Sequence, residues 1–502
     1  MTLGVQSVGR LVYHPVLLLV LCSSFVHLTL RTQLGATEGP LMPQSELRSD
    51  FDLLRKWLEE AHAGLYRYAT KSEMDHVFEL ERAKLAHSMN KQDFLAVLAE
   101  TLAQIRCGHT NVTADDDTLT AMSKSRKFPF RVRLEGKRLI VLLNDTKSDA
   151  TIRPGMEVTK IDGKLASAIA KRLMQFEPAD GDIVTGKRMH IGNFAKSYWL
   201  YLNRADQFTV AAKDGLGRQV VSVFSGVTDE ERAHNQNPVN ATVLSRLMNL
   251  DWVGDRNTAL RFLEDPKIAE IRIRYFLGDD FPAWLETTFK SLKQKGTTDL
   301  ILDLRGNGGG KDMFGALLVS YLTDKPFRYF DRIEIRTLSP TFREHSDWIP
   351  GFEETLRDGT SSNPEGGYLA TTKLHPGLSE QSPSEHAFRG RVFVLIDGGT
   401  FSTAADVCAI IRHLRRATFI GEETGGAYYG NNSGAMPIVT LPNSKFRIRL
   451  PMYEYWNAVS GDPGIRRGTV PDYLVPTRAV HILLGHDDPL AMVRKLAATA
   501  LE

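Results

Sequence analysis

The sequence predicts an α/β protein, α+β when the whole chain is counted, with helices first, a β-rich segment next and a core of alternating strands and helices last. Three observations predict it. Apolar residues recur at helical spacing between positions 49 and 105. Short runs of strand character replace them between 128 and 223. From 268 to 476, short apolar strands alternate with helices, as an α/β core requires.

The elements follow in chain order. Arg10 precedes an apolar stretch, residues 11–30, broken by His14, Pro15, Ser23, Ser24 and His27. Its densest part, residues 16–22, is shorter than the ~20 residues that a membrane span needs. Gln33-Leu34-Gly35-Ala36 then offers small residues to a signal peptidase. Residues 1–36 therefore read as a signal peptide, or as an N-terminal anchor if retained, and the expected location is secreted or periplasmic. Bulky Leu21 before Cys22 argues against lipoprotein cleavage. Residues 37–46, with Pro40 and Pro43, read as a linker.

Residues 47–120 are expected to form a helical domain. Leu53, Leu54, Trp57 and Leu58 make one stripe, and Phe94, Leu95, Val97, Leu98 and Leu102 another. Thr70 with Glu73 fits a capping box. The domain closes on Arg106-Cys107-Gly108-His109-Thr110. Residues 125–225 are β-rich: Phe130, Val132 and Leu134 alternate, and 139–143 is an apolar strand. A Pro154-Gly155 turn, a strand, an Asp162-Gly163 turn and a helix from near Leu165 follow. That order resembles the end of a PDZ domain. Residues 226–266 are polar and mixed, a helical connector. The core spans 267–480, with strands at Ile271 and Ile273, 300–304, 392–396 and 418–420, and helices at 284–292, 313–322 and 404–414. A C-terminal helix is expected over 481–502.

Composition narrows the function classes. The 62 basic and 60 acidic residues leave a formal charge of +2 with no long basic run, so nucleic acid is not an expected partner. The chain is long enough to bury a core without a disulfide framework. Its three cysteines, Cys22, Cys107 and Cys408, form no CxxC pair and no Cys/His zinc spacing, so no metal is expected. Cys107 and Cys408 read as small buried residues, with a disulfide between them conceivable in an oxidising compartment.

Two glycine turns carry the chemistry. Asp303-Leu304-Arg305-Gly306-Asn307-Gly308-Gly309-Gly310 joins an apolar strand to a helix, where backbone N–H groups can approach a ligand closely. No Gly-Lys-Ser/Thr follows, which excludes a Walker loop. Asp397-Gly398-Gly399-Thr400-Phe401-Ser402-Thr403 repeats the strand-turn-helix arrangement. Ser402 at the helix start is either an ordinary cap or an exposed nucleophile with the Thr403 N–H beside it. A serine acting at neutral pH needs a base, and His109 is the candidate although far away in sequence.

In combination these segments resemble the serine peptidase family that includes the carboxyl-terminal processing peptidases, the tricorn protease core and the interphotoreceptor retinoid-binding protein modules. Ile420-Gly421-Glu422-Glu423-Thr424-Gly425-Gly426 and Val470-Pro471-Asp472-Tyr473 add to the likeness, as does Gly108-His109-Thr110. The resemblance implies a crotonase-like ββα-spiral core and a PDZ-like domain before it. It implies Ser402 as nucleophile, His109 as base, and Thr403 with Gly308 or Gly309 as oxyanion donors. The processing peptidases carry a lysine at the position of Ala427, so a Ser–Lys dyad is excluded there and the tricorn-like Ser–His branch is favoured. The glutamate which that branch places before the closing Pro-Asp element is missing from Pro463-Gly464-Ile465-Arg466-Arg467-Gly468. Glu422, Glu423 and Asp462 are open candidates for a third member.

The expected activity is hydrolysis of peptide bonds in peptides or proteins through an acyl-enzyme, without cofactor. Tyr428 and Asn431, in the Gly425–Gly434 run, are expected to line the substrate cleft. Membrane contact is expected only if the N-terminal segment stays attached. The alternatives are a non-catalytic lipid- or peptide-binding module on the same fold, and an esterase or amidase.

Overall fold

Strands covered on both faces need apolar side chains at every position, and the core strands of this chain have them. The computed structural model describes residues 40–499, apart from positions 252, 255 and 264–266. The leader at 1–36 lies outside the described residues. Among them, no helix is long and apolar enough to cross a membrane.

The central sheet has six strands in the order Tyr473–Leu474, Thr418–Gly421, Arg391–Ile396, Asp299–Asp303, Ile268–Ile273 and Thr258–Phe262. All neighbours are parallel except the last pair. Asp299–Asp303 is buried throughout. Its alternate side chains serve two cores. Leu300 and Leu302 join Leu285, Phe289, Val319 and Val407, whereas Ile301 joins Phe393, Leu395, Ile420, Leu490 and Val493. Helices Phe281–Gln294, Asp312–Ser320 and Thr403–His413 thus supply one face, and helix Asp488–Thr499 the other.

Two expectations need correcting. The 226–266 segment contains helices Asp229–Ala233 and Ala241–Leu250, but it ends in Thr258–Phe262, the edge strand of the core sheet. An edge strand needs only a half-buried run, so its polar surroundings hid it. The C-terminal helix is two helices, Ala479–Leu484 and Asp488–Thr499, because the first stops at Gly485 in the left-handed conformation.

The β-rich segment forms an antiparallel sheet, Phe130–Glu135, Arg138–Asn144, Glu157–Ile161, Gln207–Lys213 and Gln219–Ser225 in that order. Asp162 and Gly163 both have positive φ, 48° and 76°, as a two-residue I′ hairpin turn demands. Helix Ala166–Leu173 follows it. Upstream lie helices Gln44–Ala61, Lys71–Ala83 and Lys91–Gln104. Thr70 and Glu73 form the reciprocal capping box at the head of the second. Two contacts bring this helical part to the core. The Asp50 carboxylate accepts the N–H groups of Asn443 and Ser444 at 3.0 and 2.7 Å. Strand Asn111–Thr113 pairs antiparallel with Arg447–Arg449. Residues 106–110, just ahead of that strand, are thereby carried to the core.

Candidate active site

The parallel strands Asp299–Asp303 and Arg391–Ile396 end side by side, and their following loops meet beyond the carboxyl ends, where α/β sheets bind ligands. Asp397 Oδ1 accepts the N–H groups of Gly306 and Gly399, each at 2.8 Å. Thr400 Oγ1 donates to the Leu304 carbonyl at 2.9 Å, and the Phe401 N–H donates to the Asn307 carbonyl at 2.9 Å. The two glycine turns are therefore one hydrogen-bonded unit.

Ser402 lies at its centre with φ 54° and ψ −131°, a region that side chains other than glycine rarely occupy. Such strain persists where surrounding bonds over-determine the backbone, and it recurs at functional sites. Ser402 precedes helix Thr403–His413 but makes no side-chain capping bond. Its Oγ lies 3.1 Å from His109 Nε2.

His109 is held from several sides. The Thr110 N–H donates to the Cys107 carbonyl, closing a turn, and Thr110 Oγ1 lies 2.7 Å from His62 Nε2. The imidazole packs on Phe401 with ring centroids 4.5 Å apart. Gly108 makes this approach feasible, since a Cβ there would sit 2.6 Å from the Phe401 ring. Only 6% of His109 is exposed. Burial lowers its pKa to about 4, with Arg449 adding to the effect and Asp312 opposing it. The ring is therefore neutral at pH 7, the form that can accept a proton. His109 Nδ1 is buried without a hydrogen-bond partner.

The expected oxyanion donors are not equivalent. Among the described residues, the N–H groups of Thr403 and Gly308 have no acceptor. The Gly309 N–H instead donates to Asn307 Oδ1 at 2.9 Å, so it is not free for a ligand. Gly309 has another use. With φ 100°, it lets the loop pass Ser402 where a Cβ would come within 2.6 Å of the serine Cβ.

Tyr428 and Asn431 are buried, 1% and 3% exposed. The pocket that Tyr428 borders is lined by Arg412, Ser460, Gly461 and Asp462 and not by Ser402 or His109. Asn431 Nδ2 donates to Asp406, and its Oδ1 accepts from Ser433 Oγ at 2.6 Å. The Tyr428 hydroxyl points to the Ser460 carbonyl at 3.4 Å. Both side chains are spent on internal partners. Nor do the three open candidates for a third member reach His109. Glu423 is tied to Arg467 and to the Gly468 N–H, Glu422 lies 3.9 Å from Arg133, and Asp462 is exposed. The carboxylate beside the histidine belongs to Asp180, a residue without a motif signal in the sequence.

Cys107 and Cys408 are both free and buried, and Cys22 lies outside the described residues. Cys107, His109 and Asp180 are the one set of three donors, among the described residues, close enough to share a metal ion. The set fits a metal poorly. Burial pushes the thiol up to about 11, away from the thiolate that a metal binds.

Residues 267–475 match the model of peptidase family S41. The core is a member of that family. The protein is thus a serine-type peptidase, a hydrolase, whose core belongs to the family that its motifs resemble. No curated protein matches the chain. Among solved structures, mature CPAF is similar over 91% of this chain and 97% of its own, at 17% identity and a TM-score of 0.62. Mature CPAF complexed with lactacystin is similar over 91% and 98%, at 16% identity and a TM-score of 0.61. At such identities the likeness shows the fold.

Proposed function

We propose that this S41 peptidase cleaves peptide bonds through an acyl-enzyme, with Ser402 as nucleophile and His109 as general base. The observation that carries the reading is the 3.1 Å approach of His109 Nε2 to a Ser402 Oγ that caps nothing. His109 takes the hydroxyl proton as Oγ attacks the peptide carbonyl. The Thr403 and Gly308 N–H groups receive the oxyanion, and each such donor is worth about 100–1000-fold in rate. The imidazolium then protonates the leaving amine, and water, activated by the same base, releases the acyl group. The antiparallel sheet between 130 and 225 serves as a PDZ-like domain ahead of the core. Residues 1–36 act as an export signal, placing the enzyme outside the cytoplasm.

A fluorophosphonate probe tests the dyad on residues 37–502. The wild type is expected to label, and Ser402→Ala and His109→Ala, both folded, are not. Labelling that survives in Ser402→Ala would remove Ser402 from the mechanism. A panel of peptides and esters then separates a peptidase from an esterase: a protein that turns over only esters contradicts the peptide-bond assignment.

A further inference from the structure

Given the Ser402–His109 reading, we propose that Asp180 is the positioning residue for His109, accepting the Nδ1 proton directly or through one water. For Nε2 to accept from Ser402 Oγ, the ring proton must sit on Nδ1. That nitrogen is buried and makes no hydrogen bond, an arrangement that is destabilising unless an acceptor is supplied.

Asp180 is the acceptor at hand. A carboxylate oxygen of Asp180, a ring nitrogen of His109 and Cys107 Sγ lie within 4.8 Å of one another. The carboxylate is fully buried. One oxygen accepts the Gly108 N–H at 2.8 Å, the other the Ala427 N–H at 3.3 Å. Each carboxylate oxygen has two lone pairs, so capacity remains on both. The same loop is fastened to the histidine turn a second time, through the Gly181 N–H and the Arg106 carbonyl at 3.0 Å. It is fastened also to the segment before the closing Pro-Asp element, through the Asp182 N–H and the Arg466 carbonyl at 2.9 Å. Asp312, the acid that raises the His109 pKa against burial, is already engaged, by Thr403 Oγ1 at 3.1 Å and His375 Nε2 at 3.3 Å. Asp180 thus combines proximity, burial and spare lone pairs, and its negative charge stabilises the imidazolium that forms as Ser402 attacks.

The test compares wild-type residues 37–502 with Asp180→Asn by fluorophosphonate labelling, resolved into a maximal rate and a half-saturation concentration. The maximal rate is expected to fall about 100-fold or more, with half-saturation within about threefold, because the tautomer and not probe binding is lost. A folded variant that labels within threefold of wild type overturns the proposal. If the variant does not fold, wild-type protein carrying ¹⁵N-histidine decides. A protonated Nδ1 with a strongly deshielded Hδ1, absent from His109→Ala, supports donation to a carboxylate. A proton on Nε2, or an Hδ1 like that of free imidazole, overturns it. Wild type that never labels overturns the dyad and this proposal together. Labelled wild type beside an unchanged Asp180→Asn overturns this proposal alone.

Discussion

At the residue scale, the site depends on backbone groups whose partners are fixed by one side chain. Asn307 is fully buried, its Oδ1 accepts the Gly309 N–H, and its Nδ2 donates to the Ile273 carbonyl at 2.9 Å. It holds the glycine turn against Ser402 and leaves the Gly308 N–H as the unpaired donor. Asn307→Ala is expected to slow fluorophosphonate labelling about 10–100-fold and to lower unfolding free energy by about 1–3 kcal/mol, since two backbone groups lose buried partners. Labelling kinetics and urea titration on the same sample check both effects. Unchanged labelling would mean that the turn holds its shape without this side chain. The approach of His109 to Ser402 was legible in the sequence because glycine turns at strand ends and a Gly-His-Thr occur together there, in the order of the family that they resemble. The burial of Tyr428 and Asn431 was not legible, because a run rich in glycine, asparagine and tyrosine has a loop's composition whichever way its side chains point. Here they point inward, where Asn431 and Asn457 both donate to buried Asp406. Asp180 was unreadable: Ala179-Asp180-Gly181-Asp182 has the composition of a solvated turn, and its meaning lies in a contact with Gly108, 72 residues away.

At the scale of elements, the strand that feeds the first glycine turn is tied to the C-terminal helix through charge. The Arg305 guanidinium lies between Asp303, with bonds of 2.9 and 2.8 Å, and Asp487, with two of 2.8 Å. Asp303 is fully buried, whereas the Asp487 side chain keeps 21% of its surface. The two acids should therefore differ when removed. Asp303→Ala strands a largely buried cation and is expected to cost about 3–5 kcal/mol. Asp487→Ala leaves the better half of the pair and should cost about 1 kcal/mol, as partly exposed pairs do. Urea midpoints of the two variants measure the contrast, and equal losses would place the stabilisation in the arginine's packing. The same contrast in burial explains which elements the sequence disclosed. Asp299–Asp303 and Arg391–Ile396, covered on both faces, left unbroken apolar runs. Thr258–Phe262, at the sheet edge, left a half-polar one that reads equally as connector.

At the scale of the whole molecule, the site exists only when the N-terminal helical part closes on the core, because His109 comes from one and Ser402 from the other. His62 sits at that junction. It is fully buried, its Nε2 is 2.7 Å from Thr110 Oγ1, and burial lowers its pKa from 6.5 to about 3, with Arg336 adding to the effect. The sign follows from proton counting. Between pH 6.5 and about 3 the unfolded chain binds a proton at this histidine that the folded chain refuses, so stability is complete above 6.5 and is lost as pH falls. His109 acts in the same sense down to about pH 4. Asp180 opposes them, since its pKa is raised from 3.8 to about 6, chiefly by burial, and the folded state binds the extra proton in that window. These overlapping terms make wild-type stability alone a poor readout, whereas a difference isolates one group. The unfolding free energy of wild type minus that of His62→Gln is expected to be constant above pH 6.5. Below it, the difference should fall by about 1.4 kcal/mol per pH unit, because the glutamine carries no proton to be refused. Urea unfolding at pH 7.5, 6.5, 5.5 and 4.5 measures it. A difference that stays flat across this range would mean that His62 takes up its proton inside the folded protein, and that acid does not open the junction between helical part and core through this residue.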